Sequence, residues 1–186
     1  MGLNALIDEL RADSFYAILD LGPALGVNVD FWSRFPCRLY IGDFYRGLQA
    51  ELSRRSDEDE WSESVIERLF SFSPDTRFDL ILCWDIFNHL TQEQLTSLIA
   101  WLARLSKPGA LLFALMWLES RISMEPLAFR IVDREHMDYA GRSAATKAGP
   151  RYQPRELGKI MRGFDVSNSF LLRHGVQEYL FVYRGE

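Results

Sequence analysis

One stretch of the sequence limits the fold more than any other: residues 78–90 read FDLILCWDIFNHL. Phe78 to Cys83 is an almost continuous apolar run with the length of a strand. Such a strand is buried on both faces, which occurs mainly where helices cover both sides of a parallel sheet. The sequence therefore predicts a central parallel strand and an α/β fold.

Strands and helices alternate along the rest of the chain. The predicted strands cover 15–21, 37–44, 78–83, 110–118, 165–174 and 177–184. The predicted helices cover 2–12, 45–56, 61–72, 92–106 and 153–164, with a weak one at 26–35. The last two strands meet at Gly175 and read as a hairpin. We predict one domain over 1–186, a three-layer α/β sandwich whose sheet is mainly parallel and ends in an antiparallel hairpin.

Composition excludes several classes of function. The net charge is −5 and the 186 residues contain no basic stripe, so a nucleic-acid partner is not expected. No apolar run reaches the roughly 20 residues of a membrane span, and the first residues lack a secretory signal, so a cytoplasmic protein is expected. Cys37 and Cys83 form no C-x-x-C pair and are predicted to be buried, reduced thiols. No metal-ligand constellation is found.

Four motifs follow one another at characteristic distances. They are LDLGPALG (19–26), YIGDF (40–44), FDLILCWDIFNHL (78–90) and LARLSKPGALLFAL (102–115). Together with the terminal hairpin, they make residues 14–186 resemble the class I S-adenosylmethionine (SAM)-dependent methyltransferases. The resemblance implies a Rossmann-like fold, SAM as cofactor and a small-molecule methyl acceptor.

The resemblance also implies a site at the carboxyl ends of the strands, where open α/β sheets bind ligands. Asp20 and the turn Gly22–Gly26 would face the methionine part of SAM, and Asp43 would hold the ribose. Cys83, Trp84 and Asp85 would lie where the methyl group meets the acceptor. The implied cofactor-binding residues are Asp20, Gly22, Ala24, Gly26, Asp43, Cys83 and Trp84.

Asp85 and His89 are the candidate catalytic residues. They are four residues apart and would share a helical face, from which they could deprotonate an acceptor hydroxyl or amine. Structural roles stay open for these and other site residues. His89 could bond to backbone, Trp84 could be a core aromatic, and Asp43 could cap the helix that follows it.

The sequence departs from the family pattern in two places. Ala24 replaces the middle glycine of the turn, and a methyl group there disfavours a left-handed backbone. The family's third strand has no counterpart, because residues 57–76 read as helix and turn. We therefore predict a sheet without that strand, whose second strand becomes an edge. The irregular segment 119–153 is a candidate lid or substrate-side insertion.

Two hypotheses follow for the function. The first is a SAM-dependent methyltransferase that acts on a small molecule. The second is a non-catalytic domain of the same fold that binds a protein partner, including a second copy of itself. A dinucleotide oxidoreductase is disfavoured by the KPG turn before a strand and by the terminal hairpin.

Overall fold

The computed structural model of this chain describes residues 2–11, 13–54, 61–62, 64–73, 75–140, 145–172 and 175–185. The helices are α1 Gly2–Asp8, α2 Gly26–Trp32, α3 Phe44–Leu52, α4 Ser64–Arg68, α5 Gln92–Leu105 and α6 Pro154–Ile160, with a 3-10 turn at Ile86–His89. The strands are β1 Tyr16–Asp20, β2 Cys37–Ile41, β3 Phe78–Trp84, β4 Ser106–Trp117, β5 Arg121–Ser123, β6 Ala128–Ile131, β7 Met137–Ala140, β8 Thr146–Ala148, β9 Phe164–Leu171 and β10 Val176–Tyr183.

Six strands form the main sheet in the order β2-β1-β3-β4-β10-β9. The first four are parallel, while β10 runs antiparallel to both β4 and β9. The α/β prediction, the mainly parallel sheet and the terminal hairpin are therefore confirmed. Gly175 allows the tight hairpin connection because its φ of 71° suits a residue without a Cβ.

Strand β3 lies inside the sheet and divides its side chains between two cores. Leu80 and Leu82 pack with α1 and α2, whereas Ile81 and Cys83 pack with α3, α4 and α5. All four side chains are fully buried. This alternation explains why the strand is apolar almost throughout: each face of the sheet is covered by its own helical layer.

The prediction of a missing third strand is confirmed for the residues that can be described. Of residues 57–76, the structure describes 61–62, 64–73 and 75–76, which contain helix α4 and no strand. The acidic run at 57–60 lies outside the described residues. Strand β2 is thus an edge of the sheet. Aromatic side chains pack beside it, with the Tyr40 ring 5.7 Å from Phe72 and 5.3 Å from Phe78.

Some local predictions need correction. The KPG turn at 107–109 is a bulge inside β4, since Ser106 already pairs with Phe78 before the register shifts. The segment 119–153 is more regular than predicted, because it forms two small sheets, β5-β8 and β6-β7. Cys83 is buried as predicted, but Cys37 is only half-buried, and both are free thiols. No helix among the described residues is long and apolar enough to span a membrane.

Candidate functional site

A pocket of about 340 Å³ opens at the carboxyl ends of β1, β2 and β3. Four parts of the chain form its walls: the turn after β1, the start of α3, the end of β3 and the loop before β6. The lining residues are Leu21, Gly22, Pro23, Asp43, Tyr45, Arg46, Gln49, Trp84, Ile86, Glu125, Pro126 and Leu127. Three of the predicted cofactor residues, Gly22, Asp43 and Trp84, therefore meet in one pocket.

Asp20 ends β1 and organises the turn that follows. Its carboxylate is 2% exposed. The Oδ1 atom accepts hydrogen bonds from the Gly22 backbone N–H at 2.8 Å and from the Trp84 indole Nε1–H at 2.6 Å. Burial raises the pKa of Asp20 to about 6, although both hydrogen bonds act in the opposite direction. Asp20 is thus a buried carboxylate held by two neutral donors.

The two glycines of the turn have different surroundings. A Cβ on Gly22 would lie 2.8 Å from both Cδ1 and Nε1 of Trp84 and 3.1 Å from Asp20 Oδ1. Around Gly26, which starts α2, no described atom lies within 4 Å of such a Cβ. The glycine at 22 is required because the indole packs directly on its Cα, whereas Gly26 has open space.

Ala24 fits the turn without strain. The left-handed residues among those described are Asp43, Trp84 and four glycines, all of them outside the turn at 21–26. Ala24 itself is exposed. The missing middle glycine is therefore not a defect of this backbone, which needs no positive φ at position 24.

We expect Gly22→Ala to lower the free energy of unfolding by about 1–3 kcal/mol, because the new methyl group must displace a buried indole. Gly26→Ala is the matched control and should change the free energy by less than about 1 kcal/mol, in the stabilising direction. Denaturant unfolding of the two variants and the wild type measures the difference. Equal stability of the two variants would mean that the indole does not rest on Gly22.

Asp43 precedes α3 and lines the pocket with a partly exposed carboxylate. Its backbone is left-handed, with φ 39°, and its N–H donates to the Gly22 carbonyl at 3.1 Å. Asp43 occupies the N-cap position of α3, but its side chain makes no capping hydrogen bond within the described part of the chain, so a side-chain cap is not what holds it there. The carboxylate is 40% exposed and lies 3.7 Å from Nη1 of Arg46. Its oxygens remain available to a ligand.

Trp84 is the most constrained side chain of the site. It is 3% exposed and has a left-handed backbone, with φ 49°, which is rare for a bulky residue. Its indole stacks on the Phe129 ring with centroids 5.7 Å apart and meets Phe113 edge-on at 6.1 Å. The indole is thereby wedged between the glycine turn and strand β6.

Asp85 and His89 lie in the interior behind the pocket. The Asp85 carboxylate is fully buried and accepts hydrogen bonds from Trp117 Nε1–H at 3.1 Å and from the Leu127 backbone N–H at 3.2 Å. The His89 side chain is also fully buried, with Nε2 3.8 Å from Asp85 Oδ2. Neither ring nitrogen of His89 has a hydrogen-bond partner among the described residues. The structure thus brings the predicted pair together, at a depth that solvent does not reach.

Cys83 lies deeper still, in the core on the α5 side of the sheet. Burial and the nearby charge of Asp20 both raise the pKa of its thiol. The chemistry of the thiolate is therefore suppressed at this position. Among the residues that can be described, no group of three or more His, Cys, Asp or Glu side chains could hold a metal ion.

The segment 119–153 packs over the carboxyl edge of the sheet. The amide of Asn28 holds β6 through bonds of 2.9 Å to both the Phe129 carbonyl and the Ile131 N–H. Lys147 Nζ donates to the Tyr45 hydroxyl at 3.3 Å. These contacts join the segment to α2 and α3 and set its loop beside the pocket.

Sequence reasoning missed several lining residues. Tyr45, Arg46 and Gln49 follow Asp43 on α3, so their place could have been found by extending the YIGDF motif into the helix. Glu125 and Leu127 carry no such signal. They reach the pocket only through the folding of a segment that lies about 40 residues beyond β3 in the chain.

Comparisons with known proteins agree with this architecture. A family described as a methyltransferase domain matches residues 3–168, which is most of the chain. This chain belongs to the methyltransferase-domain family. No curated protein sequence matches it.

Several solved methyltransferase structures share the fold. An S-adenosylmethionine-dependent methyltransferase from Clostridium acetobutylicum is 14% identical, with a TM-score of 0.57 over 99% of this chain and 91% of the other. The glycopeptide N-methyltransferase MtfA, solved with SAM, is 12% identical, with a TM-score of 0.53 over 98% and 86%. The N-methyltransferase NodS from Bradyrhizobium japonicum is 15% identical, with a TM-score of 0.51 over 91% and 86%. At this level of identity the likeness shows a shared class I methyltransferase fold.

Proposed function

We propose that this member of the methyltransferase-domain family is a SAM-dependent methyltransferase that acts on a small-molecule acceptor. The observation that carries the proposal is the carboxylate of Asp43. It is partly exposed on the pocket, free of capping, and placed opposite the Gly22 turn. A partly exposed carboxylate can accept hydrogen bonds from a vicinal diol such as the ribose of a nucleoside, although one of its oxygens, Oδ2, also pairs with Arg46 at 3.7 Å.

The residues present fit the nucleoside end of SAM. Asp43 would accept from the ribose hydroxyls, while Leu21 and Ile86 offer apolar surface for the base. At the amino-acid end, Asp20 would receive the ammonium group, but in this conformation the Trp84 indole donates to it instead. When bound, SAM supplies an electrophilic methyl group. The protein's own contribution is to bind and orient the two reactants and to exclude water from them.

The shape and charge of the site favour a small acceptor. The pocket is bounded by the loop at 125–127 and by Tyr45, and its volume of about 340 Å³ lies in the range of small-molecule sites. The net charge of −5 disfavours a polyanionic acceptor. Asp85 and His89 stay our candidate bases, and a role for them in catalysis requires that the loop at Leu127 first open.

The second hypothesis, a non-catalytic domain that binds a protein partner, has one observation in its favour. The Trp84 indole covers the Gly22 turn, the part of the site where the resemblance puts the methionine. A protein that has lost its cofactor would have no reason to keep this end of the site open. Calorimetric titration with SAM and S-adenosylhomocysteine separates the hypotheses: micromolar binding supports the enzyme, and no binding at millimolar ligand supports the partner-binding domain.

We expect Asp43→Ala to weaken SAM binding at least about tenfold, since a hydrogen bond to a charged group is lost. Asp43→Asn is the sharper variant, because asparagine tolerates the left-handed backbone at this position and keeps the shape of the side chain while it removes the charge and one of the two acceptor oxygens. Asp30→Ala, an exposed carboxylate on α2, is the control and should bind as the wild type does. Unchanged calorimetric affinity of both Asp43 variants would remove Asp43 from the site.

A further inference from the structure

The Trp84 indole and a SAM molecule need the same place. The indole lies so close to Gly22 that a single methyl group on that residue would collide with it at 2.8 Å. It also uses the Oδ1 atom of Asp20 as its hydrogen-bond acceptor. Gly22 and Asp20 are the two residues that would hold the amino-acid end of the cofactor. Asp20 is buried and does not line the pocket, whereas Gly22 and Asp43 both do.

We propose that Trp84 is a gate that selects ligands by their amino-acid chain: SAM binds only when the indole leaves Gly22 and Asp20, and the ligand's ammonium group replaces the indole N–H on Asp20. The proposal rests on the proposed function, because it takes SAM as the ligand of this pocket. It makes Trp84 a specificity-determining residue, since a nucleoside without the amino-acid chain could bind beside Asp43 with the gate closed.

The hydrogen bonds of Asp20 explain how a ligand's ammonium group could replace the indole N–H as donor. The carboxylate is buried, and the donors that reach its Oδ1 atom, Gly22 N–H and Trp84 Nε1–H, are both neutral. A hydrogen bond from a cation to a carboxylate is roughly twice as strong as one between neutral groups. An ammonium group would therefore compete well with the indole, while an uncharged ligand has nothing to offer Asp20.

The position of the indole allows it to move. Trp84 lines the pocket, so empty space lies next to its ring. Its left-handed backbone is a strained conformation for a residue with a Cβ, and such conformations cluster at ligand clamps and switch regions. What holds the ring in place is the bond to Asp20 and the stack on Phe129 from β6.

The experiment compares two ligands by calorimetry. S-adenosylhomocysteine carries the amino-acid chain, and 5′-methylthioadenosine is a nucleoside without it. The variants are Trp84→Phe, which removes the N–H but keeps a ring on Phe129, and Trp84→Ala, which removes the gate. Trp61→Phe is the control, because it loses a similar indole bond, to Ser97 at 2.9 Å, away from the pocket.

We expect both Trp84 variants to bind S-adenosylhomocysteine at least about tenfold more tightly than the wild type, because the binding-competent state no longer has to be populated first. Their affinity for methylthioadenosine should change by less than about twofold, and Trp61→Phe should match the wild type with both ligands. Should Trp84→Ala not fold, Trp84→Phe alone carries the test.

A spectroscopic readout follows the indole itself. The chain has five tryptophans, and the indole N–H signal that is lost in Trp84→Phe identifies Trp84 in a nitrogen-15 correlation spectrum. We expect S-adenosylhomocysteine to shift this signal as the bond to Asp20 is broken. Methylthioadenosine should leave it close to its free position.

The outcomes separate the gate from the proposed function. If the Trp84 variants bind S-adenosylhomocysteine only as tightly as the wild type does, or more weakly, the gate is overturned. The methyltransferase proposal then still stands. An equal gain for both ligands also overturns it, since the indole would then restrict the whole pocket. If no protein of the set binds either ligand, both proposals fail.

Discussion

Asp85→Ala is expected to lower the free energy of unfolding by about 2–6 kcal/mol, the largest effect that we expect of any single change in the site. The carboxylate is completely buried and satisfies two donors, the indole N–H of Trp117 and the backbone N–H of Leu127. Alanine would remove the acceptor that both donors use in the interior, and each such loss costs roughly 1–3 kcal/mol. Denaturant unfolding of the variant and the wild type measures the change.

Two matched variants test the reason for this loss. Asp85→Asn keeps one acceptor oxygen and should lose about half as much stability, while Asp30→Ala on the surface should change it by less than about 0.5 kcal/mol. The bond to Leu127 ties β3 to the segment over the site, so hydrogen exchange at the Leu127 amide should speed up in Asp85→Ala. Wild-type stability of Asp85→Ala would argue against a structural carboxylate and favour its role as a base.

The second large effect is a dependence of stability on pH that comes from Asp20. Burial raises its pKa from the ordinary value of 3.8 to about 6, so the folded chain holds this proton more tightly than the unfolded chain. The stabilisation by protonated Asp20 is therefore fully present below about pH 3.8 and is lost as the pH rises through about 6. A pKa difference of this size corresponds to about 3 kcal/mol.

Asp20→Asn isolates this contribution, because the asparagine oxygen can still accept from Gly22 and Trp84 but carries no charge. We expect the difference in the free energy of unfolding, variant minus wild type, to rise by about 2–3 kcal/mol as the pH increases from about 4 to about 7.5. Unfolding titrations at a series of pH values measure this difference. A difference that stays constant over the range would contradict a raised pKa of Asp20.

A carboxylate that weakens the fold at neutral pH needs a reason to be there. Natural proteins accept such costs mainly at functional sites, where a charge is required for a ligand. The hydrogen bond from the Trp84 indole lowers the cost of burying the Asp20 carboxylate in the unliganded protein. A charged donor from a ligand would take its place. The same physical argument underlies the gate that we propose.

Much of the fold could be predicted because its signals are local or periodic. The apolar run of β3 required cover on both faces, and the two cores that share its side chains provide that cover. The predicted helix over 92–106 is confirmed as α5, which begins after a capping box that Thr91 forms with Gln94. The absence of a third strand followed from the helical pattern before Arg77, within the residues that can be described.

The site was predicted less completely, because its geometry depends on contacts between distant segments. Three of the residues named from the motifs, Gly22, Asp43 and Trp84, line one pocket. No motif indicated that Trp84 would donate a hydrogen bond to Asp20, 64 residues away. Nor did any motif indicate that the Asp85 carboxylate would accept hydrogen bonds from Trp117 and Leu127. The strands β5 and β8 were missed because each is only three residues long and is stabilised by the surface on which it packs.

The sequence by itself determined the order of the elements, the parallel sheet and the edge at which a ligand would bind, since hydrophobic periodicity and turn residues act over short distances. Only the tertiary structure decided which polar groups of that edge remain free. Burial and hydrogen bonding join residues that are far apart in the chain, and they left Asp43 open to the pocket while they closed Asp20 under an indole. The types and spacing of residues in the sequence do not distinguish Asp43 from Asp20, because the difference depends on which donors in the folded chain reach each carboxylate.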